Sequence, residues 1–142
     1  MSKPTLWIMC GLSGSGKSAI ATQIANENPN TVIVSSDAIR EELTGNYEDQ
    51  QHNEEVFKIF HDRIRKNLEN KKNVIADATN LTMKSRRAIM MKVNGLNVRK
   101  VCVIIPKPFE QCKKDNLHRE HPVPDFVLDK QIRKFQIPFY EE

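Results

Sequence analysis

Residues 11–18 read GLSGSGKS, which places a glycine, four further residues and then Gly-Lys-Ser. The apolar run TLWIMC at residues 5–10 comes just before this stretch and has the composition of a buried parallel strand. Apolar residues recur at helical spacing just after it, at Ala19, Ile20, Ala21, Ile24 and Ala25. A strand, a glycine-rich loop and a helix in this order are typical of a phosphate-binding loop. These flanking elements favour that interpretation over a glycine-rich turn without a ligand.

The residue types of this loop suit a nucleoside triphosphate. Glycines let the backbone turn tightly and bring its N–H groups onto phosphate oxygens, and the start of the next helix adds partial positive charge. We expect Lys17 to reach the β- and γ-phosphates of ATP, and the Ser18 hydroxyl to hold Mg²⁺. The predicted cofactors are therefore ATP and Mg²⁺. The predicted binding residues are Gly11, Ser13, Gly14, Ser15, Gly16, Lys17 and Ser18.

Length and composition indicate one globular domain spanning residues 1–142. The chain is long enough for one hydrophobic core and too short for two ordinary ones. Its apolar residues, 39% of the total, form no run that could span a membrane. Residues 1–4 lead straight into the first predicted strand. We therefore expect no signal peptide, and a cytoplasmic location.

Cysteines and charge narrow the class of protein further. Cys10, Cys102 and Cys112 form no regular framework and are interpreted as reduced, mostly buried thiols. The four histidines lack metal-ligand spacing, so no zinc site is predicted. Lys and Arg number 22 against 18 Asp and Glu, a net charge of +4 that is compatible with a polyanionic partner but does not establish one.

Charged side chains follow the second predicted strand, TVIVS at residues 31–35. Asp37 and Arg40 come next and share a face of a helical turn. Ligands bind at the carboxyl ends of strands in open α/β sheets, so Asp37 can accept a proton from an attacking hydroxyl and Arg40 can grip a second phosphate. The alternative is that Ser36 or Asp37 only caps a helix and that Arg40 is solvated.

A third acid follows the third predicted strand, NVIA at residues 73–76. Asp77 at its end can hold Mg²⁺ or the waters of this ion, or it can orient Arg40. The alternative is a loop carboxylate that bonds to local backbone.

The remaining pattern alternates strands and helices in the order β-α-β-α-β-α-β-α-α. Such alternation predicts an α/β fold, with a parallel sheet and helices on both faces. The other predicted elements are a strand at 98–105 and helices at about 53–70, 82–94, 108–116 and 125–135.

These motifs resemble the small P-loop kinases typified by the polynucleotide 5′-hydroxyl kinase of phage and bacterial end-repair enzymes. The similarity runs over essentially the whole chain, and the Asp-x-x-Arg spacing of Asp37 and Arg40 is its most specific part. Beyond GLSGSGKS it rests on SSDAIREEL (35–43), NEEVF (53–57), NVIADATNL (73–81), Arg86 with Arg87, Pro108 with Phe109, and Val123 with Pro124.

The resemblance implies roles for several residues in a bacterial or phage-infected cell. Asp37 corresponds to the general base for the 5′-hydroxyl, Arg40 to the arginine that contacts phosphate at the reacting centre, and Asp77 to an acid of the same active site. The family also carries Arg-Asn-x-x-Arg in a lid over the ATP phosphates, which we expect at about residues 115–124. Asp115 replaces the first lid arginine, and Arg119 remains to neutralise transition-state charge.

Three functions are compatible with the sequence. The first is a kinase for 5′-hydroxyl ends of DNA or RNA, whose strand Lys113, Lys114 and Arg119 are placed to grip; the basic balance modestly favours it. The second is a kinase of the same fold for a small hydroxylated metabolite. The third is a nucleotide-dependent switch, which is disfavoured because residues 70–73 read NKKN and lack the acid of the guanine motif Asn-Lys-x-Asp.

Overall fold

The computed structural model describes residues 3–12, 15–46, 51–105, 109–118 and 123–138. In these ranges the chain forms four strands and six helices, and none of the helices has the length and apolarity needed to cross a lipid bilayer. The elements are β1 (Thr5–Cys10), α1 (Lys17–Glu27), β2 (Thr31–Ser35), α2 (Ser36–Thr44), α3 (Asn53–Glu69), β3 (Asn73–Asp77), α4 (Met83–Lys92), β4 (Arg99–Ile104), α5 (Phe109–Asn116) and α6 (Asp125–Lys134).

The four strands form one sheet in the order β2-β3-β1-β4, and every neighbouring pair is parallel. The strand that leads into the glycine-rich loop, β1, is therefore central. The register places Ser35 at the end of β2 beside Asp77 at the end of β3. Since all strands run the same way, the loop and these two residues lie at one edge of the sheet.

Helices cover both faces of the sheet. The chain leaves β1 towards β2 on one side and leaves β3 towards β4 on the other. Right-handed crossovers in opposite directions put their helices on opposite faces. Met9 and Ile75 accordingly pack with Ala21 of α1, whereas Leu6 and Ile8 pack with residues of α3 and α4. The predicted α/β fold, a parallel sheet between helices, is confirmed.

The helix α3 contributes more buried residues to the larger core than any other element. Val56, Phe60, Ile64 and Leu68 form a stripe at i, i+4 spacing, and all four are buried. Burying one such side chain contributes about 1.5–3 kcal/mol relative to leaving it exposed. This stripe fixes α3 against β2 and β3, and so fixes where the first residue of α3 lies relative to the ends of these strands.

The segment after β2 differs from its predicted form. Instead of one helical turn, residues 36–44 make the nine-residue helix α2. Its cap is Ser35, whose Oγ accepts a hydrogen bond from Ala38 N at 3.2 Å, so the alternative interpretation with Ser36 or Asp37 as the cap is wrong. The reason is that Ser35, the last strand residue, already has the extended backbone that an N-cap requires. Gly45, at φ 74°, ends the helix.

Candidate active site

Gly11, at the start of the loop between β1 and α1, lies in a narrow space that we call the Gly11 cradle. A Cβ atom at Gly11 would lie 2.9 Å from Ser15 Oγ and 3.2 Å from Ile105 Cβ, so a larger residue would have to displace its surroundings. Gly16 has φ 93°, a left-handed conformation that glycine reaches without strain, and it directly precedes α1. Backbone geometry therefore explains both glycines.

Two polar side chains of this loop indicate that it binds an anionic ligand. Ser15 Oγ is buried and has no hydrogen-bond partner among the described residues, which costs free energy unless a ligand or water satisfies it. Lys17 Nζ lies over the loop and donates to the carbonyl oxygen of Leu12 at 3.0 Å. Ser18 follows in the first turn of α1. The predicted ligands Ser13 and Gly14 lie outside the described residues.

A buried polar network supports the start of the loop from behind. Gly11 N donates to Thr79 O at 3.0 Å, which ties the loop to the segment after β3. Asn80 Nδ2 donates to Met9 O at 2.7 Å, and Asn80 itself has a left-handed backbone with φ 45°. Arg86 Nη1 donates to Asn80 O at 2.9 Å and lies 3.8 Å from Cys10 Sγ.

Asn80 and Arg86 are only 4% and 3% exposed, and sequence reasoning gave neither a role in the site. The only signal for Arg86 was its place in the paired arginines of the resemblance. A buried arginine needs hydrogen-bond acceptors around it, and here the backbone carbonyl of Asn80 is one of them.

The acid and the arginine of α2 form a close pair at the second strand end. Arg40 Nη1 lies 2.7 Å from Asp37 Oδ1, and Arg40 Nη2 donates to Asn53 Oδ1 of α3 at 3.1 Å. Arg40 is 7% exposed, so it is not the solvated side chain of the alternative interpretation, and its Nε has no partner among the described residues. The Asp37 side chain is half-exposed, and within the described ranges no hydrogen bond goes to its Oδ2.

Asp77 stands at the end of β3, beside Ser35 and at the wall of the same cleft. One of its expected roles, orienting Arg40, is wrong. The side-chain hydrogen bonds of Arg40 within the described ranges go to Asp37 and Asn53, because Arg40 reaches from α2 towards the start of α3. A role of Asp77 in holding Mg²⁺ or the waters of this ion stays a prediction.

A cleft of about 1020 Å³ joins these parts. Lys17 and Ser18 of α1, Asp37 and Arg40 of α2, and Asp77 at the end of β3 line it. The structure thus brings these five predicted site residues to one cavity. Side chains of α4 and α6 also line it.

The predicted lid falls partly outside the described residues. Arg119 lies there, so its predicted role is not addressed by the geometry. Asp115, which replaces the first lid arginine, belongs to α5 and accepts a hydrogen bond from Gln111 Nε2 at 2.9 Å. That contact is an ordinary i, i+4 pair on a helix.

His61 of α3 has a perturbed pKa. Burial lowers the pKa of this imidazole below its usual range, and the positive charge of Lys92 lowers it further, while Asp62 opposes the shift. The ring lies against Phe57 and Phe60, with centroids 6.3 Å and 5.6 Å away. His61 does not line the cleft, so we expect its protonation to change the stability of the fold.

Comparison with known proteins identifies the family. A family model described as an AAA domain matches residues 6–138, which is nearly the whole chain. The chain belongs to this family and is a P-loop kinase domain. The resemblance to polynucleotide-type P-loop kinases is thereby confirmed, while the acceptor is not fixed by it.

The P-loop kinase domain is similar to proteins with different acceptors. It is 28% identical over 137 residues to the L-seryl-tRNA(Sec) kinase of Methanococcus maripaludis, a match that covers 94% of this chain and 53% of that protein. The chain therefore spans about half the length of this curated relative.

Two solved structures extend the comparison. A chain of the Pnkp1/Rnl/Hen1 RNA repair complex is 26% identical with a TM-score of 0.81, over 94% of this chain and 44% of that one. A gluconokinase from Sinorhizobium meliloti 1021, 19% identical with a TM-score of 0.66 over 99% of this chain and 80% of its own, shares the fold.

The kinase family implies ATP and usually Mg²⁺, and the residues present fit both. The unpartnered Ser15 hydroxyl and the Gly11 cradle suit a phosphate group, and Lys17 places a positive charge over them. Ser18, at the wall of the cleft, offers the hydroxyl that such loops use for Mg²⁺.

Proposed function

We propose that this P-loop kinase domain transfers the γ-phosphate of ATP to a 5′-hydroxyl end of DNA or RNA, in nucleic-acid end repair. The domain would comprise residues 1–142, with a lid at about 115–124. The observation that carries the proposal is the buried Arg40 paired with Asp37 in the cleft that also contains Lys17. This arrangement puts a proton acceptor and a fixed positive charge in the cavity that contains the phosphate cradle.

Asp37 acts as the general base in this proposal. Its Oδ1 is held by Arg40, which leaves Oδ2 to accept the hydroxyl proton. As the proton leaves, the hydroxyl oxygen forms a bond to the γ-phosphorus. The bond from that phosphorus to the β,γ-bridging oxygen breaks, and ADP departs with the electron pair.

Positive groups stabilise the charge that develops during transfer. Lys17 contacts the transferring phosphoryl group, and Arg119 of the lid neutralises it from the other side. Ser18 would hold Mg²⁺, with Asp77 as a further ligand directly or through water, and the bound ion would offset phosphate charge. Each terminal nitrogen of Arg40 keeps a second N–H, which is available to a phosphate of the acceptor.

The comparisons support a polynucleotide acceptor in preference to a small metabolite. Matches above 25% identity include a kinase for an aminoacylated tRNA and chains of RNA repair complexes. The gluconokinase shares only the fold. The tRNA kinase also motivates a second candidate acceptor, the hydroxyl of a seryl group carried by tRNA.

One assay tests the proposal. γ-Labelled ATP is offered with 5′-hydroxyl DNA, 5′-hydroxyl RNA, seryl-tRNA and a panel of sugars and nucleosides. The same oligonucleotides carrying a 5′-phosphate serve as matched controls. We expect label on the 5′-hydroxyl oligonucleotides and none on their 5′-phosphorylated forms. Preferential label on seryl-tRNA or on a small alcohol would replace the proposed acceptor, and ATP hydrolysis without transfer to any acceptor would contradict it.

A further inference from the structure

One face of α6 points into the cleft. The α6 residues that line the cavity follow a helical repeat of i, i+1, i+4, i+5 and i+8, namely Phe126, Val127, Lys130, Gln131 and Lys134. On other sides of the same helix Leu128 is fully buried, and Asp129 forms an ion pair with Lys113 of α5 at 3.2 Å. The acid is therefore neutralised outside the cleft, and the lysines are left facing into it.

A third lysine joins this face from α4. Gln136, just after α6, accepts a hydrogen bond from Met83 N at 2.8 Å and donates to Leu81 O at 2.7 Å. These bonds hold the end of α6 against the start of α4, where Lys84 lines the cleft. We call Lys84, Lys130 and Lys134 the lysine wall.

The acidic side chains of the cleft come from different elements than the lysine wall. The acids that line it are Asp37, Glu41 and Asp77, which come from α2 and the end of β3. The described α4 and α6 side chains that line it include no acid, and no described carboxylate pairs with the lysine wall. Three exposed ammonium groups on one side of a cavity attract a ligand with several negative charges, and a neutral metabolite has none.

An exposed aromatic ring completes this face. Phe126 keeps 69% of its surface exposed and stands one helical turn before Lys130. From Phe126 to Lys134 the helix rises about 12 Å, so ring and charges are spread along the cleft. A positive groove beside an exposed aromatic side chain is the combination by which proteins bind single-stranded nucleic acid, through phosphates and stacked bases.

We propose that the lysine wall and Phe126 bind the acceptor strand beyond its reacting end, with the lysines on backbone phosphates and the phenyl ring stacked on a base. This inference rests on the proposed function for its substrate, and it names the surface that distinguishes a strand from a lone nucleoside. It replaces Lys113 as a candidate phosphate ligand, because Lys113 is bound to Asp129.

Binding of a single-stranded oligonucleotide with a free 5′-hydroxyl and a 3′-fluorophore, measured by anisotropy across a salt series, tests this surface. The triple variant Lys84→Ala, Lys130→Ala, Lys134→Ala removes three phosphate contacts. Its slope of log affinity against log salt should therefore be shallower by about 2, at roughly 0.7 per contact. The matched control is Lys66→Ala, Lys72→Ala, Lys100→Ala, which removes three exposed lysines away from the cleft.

Phe126→Ala provides a second signature. We expect it to weaken binding about tenfold at every salt concentration, with the wild-type slope, because base stacking releases no counterions. The double variant Lys130→Gln, Lys134→Gln serves if the triple variant does not fold, and should reduce the slope by about 1.4.

The two levels of the proposal fail separately. If 5′-hydroxyl oligonucleotides are phosphorylated but the lysine-wall variant keeps the affinity and slope of its control, the strand surface is wrong and the proposed function stands. If the lysine-wall variant loses oligonucleotide binding while wild-type protein labels only a small alcohol, the surface is correct and the proposed acceptor is wrong.

Discussion

The proposed donor end and the proposed acceptor side of the cleft are built by different means. At the donor end, backbone geometry sets the site through the Gly11 cradle and the left-handed Gly16, and the buried side chains of Asn80 and Arg86 bond to backbone carbonyls behind them. On the acceptor side, the site is a chain of side-chain contacts from Asp37 to Arg40 to Asn53.

This difference indicates which part of the cleft tolerates substitution and which part does not. A backbone cradle tolerates few substitutions, whereas a side-chain pair can be exchanged more readily. The chain is similar to an L-seryl-tRNA(Sec) kinase and shares its fold with a gluconokinase, and these two proteins are named for different acceptors.

Removing the donor-end lysine should have the largest effect. Lys17→Ala should lower kcat by about a thousandfold or more for every acceptor, since cationic groups on the transferring phosphoryl are worth about 10³–10⁵ in such enzymes. Single-turnover transfer measures it, with the exposed Lys58→Ala as control. Near-normal transfer by folded Lys17→Ala protein would refute the donor-end assignment.

Asp37→Asn keeps the shape of the side chain and removes the proton acceptor. General-base catalysis is worth about 10²–10⁴, so kcat should fall within that range while the KM for ATP barely changes. Steady-state kinetics with varied ATP and varied acceptor separates the two constants. A loss confined to ATP binding would make Asp37 part of the donor end.

Arg86→Met should lower the stability of the fold and weaken ATP binding. It leaves Asn80 O without its charged donor, which should lower the free energy of unfolding by about 3 kcal/mol and raise the KM for ATP. Urea unfolding measures the first effect. Arg87→Met, the exposed neighbour, is the matched control and should change neither quantity. Equal stability of the two variants would show that the network behind the cradle is dispensable.

Asn53→Leu should affect the acceptor side alone. Arg40 would lose one of two side-chain partners, so kcat/KM for the acceptor should fall about tenfold with the KM for ATP unchanged. Asn53→Asp retains an oxygen for Arg40 and should restore most of this loss, which a purely structural role would not predict. Glu54→Gln, at the next position of α3, serves as control.

The smallest effect is expected for His61, which does not line the cleft. Burial lowers the pKa of His61 in the folded state, so protonation favours unfolding. Above the ordinary histidine pKa of about 6.5, His61 is neutral in both the folded and the unfolded state, and the fold has its full stability. As the pH falls below that value, the unfolded state takes up the proton first, so the free energy of unfolding declines. Thermal melts between about pH 5 and pH 8 should show a smaller decline for His61→Gln than for wild type. An identical decline would assign the pH dependence to other groups.

The sequence predicted the glycine loop and the Asp37–Arg40 pair, but not the buried side chains behind the loop or the face of α6 that lines the cleft. The strand, glycine loop and α1 follow from spacing, because a phosphate cradle requires glycine at defined positions. The ends of β2 and β3 followed from short apolar runs that stop at polar residues.

The burial of polar side chains could not be predicted from residue spacing. Charged residues are mostly exposed, and only the fold shows that Arg86 meets the carbonyl of Asn80. Likewise, Lys130 and Lys134 at i and i+4 on α6 are interpreted as solvated from sequence alone, because only the packing of this helix shows which of its faces lines the cleft. Lys113 was expected to grip the strand, but its partner Asp129 lies on a helix whose packing was unknown from sequence.

The junction of β2 and α2 has an evolutionary consequence. Ser35 is the last residue of the strand and the cap of the helix, so no linker separates sheet from helix. One inserted or deleted residue here would rotate Asp37 by about 100° around the helix axis and turn it from the cleft. We therefore expect homologous chains to keep the length of this junction unchanged, while insertions accumulate elsewhere.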